Sequence, residues 1–580
     1  MPTIMVKKKD LESLVGKKIS FGQMETYLPW VKGELKGFDE KSGEAKIELN
    51  DSNRPDLWCT EGIARQIKLK IEGKGRKYPF YSHSALNKKL KIVVKKGVET
   101  IRPFIAACSI PDFVMTEDAL VQFIQTQEKL ADVFGQKRKL LSIGIYHIDQ
   151  VIFPLIYKTV SPEEIRFVPL GFEENMTLKE ILERHPKGKS YRNVFKNEEN
   201  LPLFVDQKDT VLSFPPIINS REVGEVKKGD QNLMIEVTGT DLRLVNLVLN
   251  ILATNLYDRG AKIAPISVLY PFNTPFGKEI VFPMEIDSSL IVEIAEIEKI
   301  LGESFKMSRI KKVLSSYGHK IEKVSGSKFK VTPPPYRDDL LHSVDVIEDI
   351  AISIGYNSFE PELPIEFSRG ALSKEESFSD TLREYFIGFG FQEMISNILA
   401  SREELVEKMN LKNSLLHLVE IENVMTNQFS IVRNQILPSL LRVEASSGKA
   451  FYPHHIFEIG EIAEKDSTQN LGSKTRIQLA ALVAHPNAAF SEMHSYLDLL
   501  FYYLVGSKVL VHSLKAVEHP SYISGRFGEV FCNENNRPEK EIKVGTLGEI
   551  HPEVLDRWQI GVPCAALILE VDPLLDLSQK

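Results

Sequence analysis

The run Pro333-Pro334-Pro335-Tyr336-Arg337-Asp338-Asp339-Leu340-Leu341-His342-Ser343-Val344-Asp345-Val346-Ile347-Glu348-Asp349-Ile350 carries most of the fold information in this chain. Three prolines fix an extended approach. From Asp345 to Tyr356 the spacing turns helical, with Ile347, Ile350, Ala351 and Ile354 on one side. Asp345, Glu348 and Asp349 stand at i, i+3 and i+4, so three carboxylates share a helical face. Two readings stay open. Acids near a helix start can complement the helix dipole and face water. With Asp339 delivered by the stiff proline segment, they can instead form an all-oxygen site for a hard cation, Mg2+ with waters completing its shell. An Arg or Lys of a partner chain would neutralise the patch equally well.

Upstream of this run the pattern predicts helices over Ser289–Leu301 and Met307–Tyr317 and a strand at Phe329–Val331. Downstream, Phe359-Glu360-Pro361-Glu362-Leu363-Pro364 is a proline-punctuated linker, giving a domain over 267–366. Residues 81–266 alternate strand-like runs (Lys91–Val94, Ile105–Ile110, Val211–Phe214) with a helical stretch at Leu120–Phe134. They close on the strand Leu233–Gly239, which turns into a helix over Leu242–Leu256 capped by Thr240 or Asp241. In 1–80 the alternation of Ala45, Ile47 and Leu49 against Glu44, Lys46 and Glu48 reads as a half-buried strand. A short helix follows at Glu61–Leu69, and Gly73–Lys77 reads as a linker. Residues 367–580 alternate helices (Phe378–Phe389, Arg402–Met409) with buried strands (His455–Ile459, Ile477–Val483, Ala566–Val571), a mainly antiparallel sheet with helices on it. The fold class is therefore α+β, in several domains.

A length of 580 residues fits about four domains at roughly 150 each. Lys plus Arg number 72 against 79 Asp plus Glu, a net charge of −7, so nucleic acid is not held by global positive charge and any contact is local. Cys59, Cys108, Cys532 and Cys564 form no C-x-x-C pair, which excludes a legible disulfide framework or zinc knuckle and suits a reducing cytoplasm. The N-terminal order of residues is wrong for a secretory signal, and no apolar run reaches the ~20 residues of a membrane span. A cytoplasmic protein without a membrane partner is expected.

A second constellation pairs Ser213-Phe214-Pro215-Pro216-Ile217-Ile218-Asn219-Ser220 with Glu236, Thr238, Thr240 and Asp241. Positions 236 and 238 of one strand point to the same side. These are either polar strand ends and a helix cap, or hydroxyl and carboxylate groups gathered beside Gly239 to bind a ribose or an amino acid. No Ser-His-Asp order or G-x-S-x-G elbow signals a covalent nucleophile, and neither common nucleotide-binding glycine motif is present. Asn53-Arg54-Pro55-Asp56 is a recognition loop or a capped turn with a surface Arg–Asp pair. His454 and His455 are adjacent in a strand and point to opposite faces, so they do not form a metal pair.

Six segments together resemble one family: NDSNRPDLWCTEGIAR (50–65), FPPIINS (214–220), IEVTGTDL (235–242), PPPYRDDLLHSVDVIEDI (333–350), IGYNSFEPELP (354–364) and FEIGEI (457–462). They are similar, in order and over nearly the whole chain, to the β subunit of phenylalanine–tRNA ligase in its archaeal and eukaryotic form. The resemblance implies an α2β2 heterotetramer that makes phenylalanyl-adenylate from ATP and L-phenylalanine and esterifies tRNA(Phe), with the synthetic site on the α subunit. It implies an editing domain of B3/B4 type over 81–266, a winged-helix, B5-type domain over 267–366, and a catalytically inactive class II synthetase-like domain over 367–580 that contacts the α subunit. In agreement, the strand Phe457–Gly460 lacks the ATP-binding Arg of a competent class II strand.

The resemblance also places Mg2+ at Asp339, Asp345, Glu348 and Asp349; Asp349 is shorter by one methylene than the Glu found in many relatives. In the editing domain it makes Glu236 and Thr238 candidate ligand contacts for mischarged tyrosine, with Asn219, Ser220 and Asp241 supporting the pocket. The rival from another class is a non-enzymatic RNA-binding or scaffolding protein that retains this architecture.

Overall fold

The computed structural model describes residues 2–50, 53–73, 75–84, 86–411, 417–505, 511–533 and 541–578. They form two compact units, Met1–Leu363 and Pro364–Lys580. No helix among them is long and apolar enough to cross a membrane.

In the first unit the alternating segment Glu44–Leu49 is the middle strand of a three-stranded antiparallel sheet, flanked by Thr3–Lys7 and Gly33–Asp39. Ala45, Ile47 and Leu49 are buried, as the period of two requires. The helix Thr60–Glu72 ends at Gly73, whose φ of 71° lies in the left-handed region that glycine adopts without strain. Gly73–Lys77, of which Lys74 lies outside the described residues, separates this helix from Tyr78. Tyr78 and Phe80 return at once to pack on Tyr257, ring centroids 5.5 and 5.6 Å away. One hydrophobic core runs from Ile4 to Tyr336.

A ten-stranded mixed sheet dominates this unit. In spatial order its strands are Ile218–Asn219, Val211–Phe214, Leu201–Val205, Leu155–Val160, Lys91–Val94, Ala264–Thr274, Phe104–Ile110, Leu233–Gly239 and Leu141–His147, with Gly277–Phe282 added beside Ala264–Thr274. The expected boundary at 266 falls inside one of these strands, and the sheet continues to Phe282. The helix Leu242–Asp258 packs on Leu233–Gly239 and Phe104–Ile110.

The rest of the unit builds a smaller core of three helices, Ile294–Leu301, Met307–Ser315 and Ser343–Ile354, against the antiparallel sheet Leu290–Glu293, Lys328–Thr332 and Lys320–Ser325. The helix expected from Ser289 thus begins as a strand. Leu290, Ile291 and Val292 pair with Val331, Lys330 and Phe329, and this β-branched run is worth more in the ladder, with Val292 fully buried, than in a first helical turn.

The second unit is a seven-stranded sheet ordered Gln392–Glu393, His454–Lys465, Ser473–Ala484, Cys564–Glu570, Glu541–Ile550, Tyr522–Asn533 and Val511–Ala516. All neighbours are antiparallel except the first pair. Along Ser473–Ala484, Leu479, Ala481 and Val483 face the helices Lys374–Gly388, Phe490–Val505 and Val571–Ser578. Ala480, Leu482 and Ala484 face Leu437–Ser446 and Pro552–Trp558. Both faces are covered, which is why these strands read as unbroken apolar runs. The helix expected over Arg402–Met409 is only a wide five-residue turn, Glu403–Glu407.

Candidate functional site

The four acids of the helix-start cluster separate into two pairs. Arg337 lies between Asp339 and Asp349. Its Nε and Nη2 donate to Asp339 at 3.0 and 2.6 Å, and its Nη1 donates to Asp349 Oδ2 at 2.6 Å. His319 Nε2 lies 2.7 Å from the same Asp349 oxygen. Burial works against charge on Asp339 and Asp349, but Arg337 outweighs it and holds both below the usual carboxylate range. The other two acids lie further out. Asp345 Oδ2 accepts from the backbone N–H of Leu341 and His342 at 2.7 and 2.8 Å, capping the helix. Glu348, 45% exposed, pairs with Lys32 at 2.9 Å. A cation held by all four carboxylates would have to share their centre with the Arg337 guanidinium, so the inner pair does not fit a metal cage in this arrangement. The outer pair, Asp345 half-buried and Glu348 exposed, has the oxygen donors a hard cation takes, and a cation there would displace Lys32 from Glu348.

The second constellation surrounds a cavity of about 260 Å³. Glu236, 2% exposed, stands on Leu233–Gly239, the strand next to the sheet's edge, opposite Gly144. A Cβ at Gly144 would collide with both Tyr146 Oη and Glu236 Oε2, so the glycine makes room for the carboxylate. The Tyr146 hydroxyl lies 2.7 Å from Glu236 Oε2 and 2.9 Å from Ser213 Oγ. Having one proton, it donates to the carboxylate and accepts from the serine. Glu236 Oε1 is buried and has no hydrogen-bond partner. Burial pushes the Glu236 pKa up to about 7, against the opposing pull of Tyr146 and Arg102. Asn219 lines the same cavity and donates to Ile145 O at 3.4 Å.

The remaining candidates do not line the cavity, though the Thr238 hydroxyl is close enough to Glu236 to oppose the rise in its pKa. Thr238 Oγ1 accepts from Arg102 Nε at 3.0 Å and lies 2.9 Å from Ser142 Oγ, so it faces a buried guanidinium, while Ser142 itself reaches the cavity wall. Ser220 is buried with an unpartnered hydroxyl at the start of the short helix Arg221–Gly224. Asp241 accepts from Leu244 N at 3.0 Å and serves as a helix cap. Arg138 and Lys187 line the cavity although nothing local in the sequence marks them. Arg138 Nη1 donates to Pro216 O and Ile217 O at 3.0 and 2.9 Å and its guanidinium lies over the Tyr191 ring. Burial, then the nearby Arg138 charge, pushes the Lys187 pKa down.

The Asn53–Asp56 turn holds the expected Arg–Asp pair, but buried: Arg54 grips Asp56 at 2.8 and 2.9 Å and reaches within 3.8 Å of Asp339. Asp51 and Ser52 of that motif lie outside the described residues.

Comparison with known proteins places these sites in context. Residues 290–356 match the tRNA synthetase B5 domain, and residues 361–571 match the phenylalanyl tRNA synthetase beta chain CLM domain. A phenylalanine–tRNA ligase beta subunit of Borrelia recurrentis is 40% identical over 579 residues, covering 99% of this chain and all of that protein. The chain belongs to the phenylalanine–tRNA ligase beta subunit family. A Borrelia hermsii member is 38% identical over 577 residues. Among solved structures, an N-terminal fragment of the phenylalanyl-tRNA synthetase beta-subunit from Pyrococcus horikoshii is 37% identical with a TM-score of 0.57, covering 61% of this chain and all of the fragment. The family's B5 match encloses the acid cluster, whereas neither family model extends to the Glu236 cavity.

Proposed function

We propose that the chain serves phenylalanine–tRNA ligase as the subunit without the synthetic site, joining an α subunit in an α2β2 complex in the cytoplasm. With that subunit it attaches L-phenylalanine to tRNA(Phe) at the expense of ATP. The relatives that match its full length come from Borrelia and the archaeal fragment from Pyrococcus, so we assign it the shorter, archaeal and eukaryotic type of domain organisation irrespective of source. We assign the second unit to scaffolding. In its cavity of about 660 Å³, Arg476 pairs with Glu464 at 2.7 Å, Lys543 pairs with Glu529 at 2.5 Å, and Gln478 donates to Glu570 at 2.9 Å. Arg476 and Lys543, already matched by carboxylates, are poor partners for a triphosphate.

The cavity at Glu236 is the proofreading site in this reading. A pocket shaped for phenylalanine rejects the same ring bearing a hydroxyl by only ~100-fold. A second site can reverse the preference. The orphan Oε1 of Glu236 is the observation that carries the reading: a tyrosine hydroxyl can satisfy it and a phenyl ring cannot. Arg138 and Lys187 on the wall suit the phosphate-bearing end of a tRNA. Deacylation of tyrosyl-tRNA(Phe) by the reconstituted complex tests this, wild type against Glu236→Ala and Thr238→Val. Loss of about 1–3 kcal/mol of tyrosine-specific contact is expected for Glu236→Ala, with phenylalanylation unchanged. Equal deacylation rates would remove Glu236 from the pocket, and no deacylation by the wild type would reject editing.

For Mg2+ we propose Asp345 and Glu348 as the direct ligands, with waters. Asp339 and Asp349, the other two acids of the expected set, are left out of it because Arg337 donates to both.

A further inference from the structure

His455, His485 and Glu492 bring two imidazoles and a carboxylate together at one end of the second unit's sheet. His455 is the second residue of the strand His454–Lys465, His485 directly follows the neighbouring strand Ser473–Ala484, and Glu492 lies in the first turn of the helix Phe490–Val505. One donor atom from each lies within 4.8 Å of the other two. His485 Nε2 is 2.8 Å from Glu492 Oε2, and His455 Nε2 is 3.5 Å from Glu492 Oε1. His455 Nε2 makes no hydrogen bond and is shut off from water, with Phe391 stacked at 5.2 Å and Tyr496 at 5.8 Å on its ring. A buried imidazole nitrogen aimed at a carboxylate without bonding it is a group awaiting a partner.

We propose that His455 Nε2, His485 Nε2 and Glu492 together bind one divalent transition-metal ion of the zinc class. Two imidazoles and one carboxylate suit Zn2+ and its neighbours rather than Mg2+ or Ca2+, and leave a coordination position for water. A tetrahedral ion at about 2.0–2.1 Å from each donor sets the donors roughly 3.3 Å apart. The 2.8 and 3.5 Å separations run to different oxygens of Glu492; with a single oxygen as donor the three atoms lie within 4.8 Å of one another, and side-chain rotations bring them to that spacing. Glu492 keeps 29% of its side-chain surface open and each histidine 18%, so an ion enters from the Glu492 side and meets the buried His455 Nε2 through a side-chain rotation. Asn487 N donates to His485 Nδ1 at 3.2 Å, which in the metal-free state places the imidazole proton on Nε2, facing Glu492. On binding, that proton moves to Nδ1 and the exposed Asn487 amide passes to water; no oxidant or other reactant is needed. His454 takes no part, since it points to the other face and meets Glu444 at 2.9 Å.

The experiment titrates untagged, chelator-stripped full-length chain with Co2+, read by visible absorption, and then with Zn2+ by calorimetry. One equivalent of each ion is expected, undisturbed by millimolar Mg2+. His455→Ala and Glu492→Gln should each weaken binding by about 100-fold or more, beyond the loss caused by an outer-shell change. Glu492→Gln keeps a hydrogen-bonding group at a partly exposed helix start, so it remains decisive if His455→Ala fails to fold. No saturable Co2+ signal in the wild type, or Glu492→Gln binding like the wild type with the same unfolding midpoint in chelator, would overturn the site.

Discussion

Replacing Glu236 with Gln should remove a pH-dependent weakness built into the first unit. Burial pushes the pKa of this carboxyl from 4.5 up to about 7. At about 1.4 kcal/mol per unit this is roughly 3 kcal/mol of linkage. The sign follows from proton binding. The folded state holds the proton more tightly than the unfolded chain, so the stabilisation is complete below pH 4.5 and is lost as pH rises towards about 7. Between about pH 5 and pH 8 the wild type should lose roughly 2.5 kcal/mol through this one group. Gln has the same shape and can still accept from Tyr146, but it cannot titrate. The difference in unfolding free energy between Glu236→Gln and wild type should therefore move by that amount in the variant's favour across the same window, while other titrations cancel. Urea unfolding read by tryptophan fluorescence measures it in a Trp558→Phe background, where Trp30 and the buried Trp58 report on the first unit. A variant-minus-wild-type difference that stays constant with pH would mean that Glu236 is an ordinary ionised carboxylate, refuting the assignment of its orphan oxygen to a desolvated site.

Arg337→Met should destabilise the first unit by about 3–5 kcal/mol, because buried Asp339 would keep only the more distant Arg54 and Asp349 only His319; Arg337→Lys should rescue little, lacking the planar fork. A thermal or urea midpoint close to the wild type's would contradict the buried network. Asp345→Asn keeps an oxygen for the Leu341 and His342 amides but loses the charge, so calorimetry should show Mg2+ binding weakened roughly tenfold or more, with helix content by circular dichroism unchanged. Asp241→Ala should cost about 1 kcal/mol as a lost helix cap and leave tyrosyl-tRNA deacylation at the wild-type rate; a slowed deacylation would return Asp241 to the pocket.

What the sequence showed of the fold was what local physics determines. The strands Lys91–Val94 and Val211–Phe214 stand where their apolar runs and flanking breakers put them, and the helix after Gly239 starts at the Asp241 cap. The strand at Leu290–Glu293 was hidden because its partner, Lys328–Thr332, is nearly forty residues away, and no periodicity within one segment reports a ladder formed with another. The same distance hid the cavity. Arg138 and Lys187 are 98 and 49 positions from Glu236, and only the order of strands in the large sheet brings them to one wall.

The acid cluster and the histidines carry the sharper lesson. The i, i+3, i+4 spacing predicts Asp345, Glu348 and Asp349 on one face of the helix, yet Asp349 is buried with Val346, Ile347 and Ile350, because neighbouring positions differ by about 100° of rotation. That rotation is enough for Glu348 to reach solvent and Lys32 while Asp349 turns in to Arg337 and His319. Arg337 was in plain view within the quoted run, so counting the cation along with the acids would have revealed the inner ion pair. For His454 and His455 the alternation argument was sound, since their side chains do diverge. What it left out is that a strand residue's partner comes from the adjacent strand and the helix laid over it, here His485 and Glu492. A pairwise test along the chain can exclude a ligand pair in one strand, but it cannot exclude a site assembled across three elements.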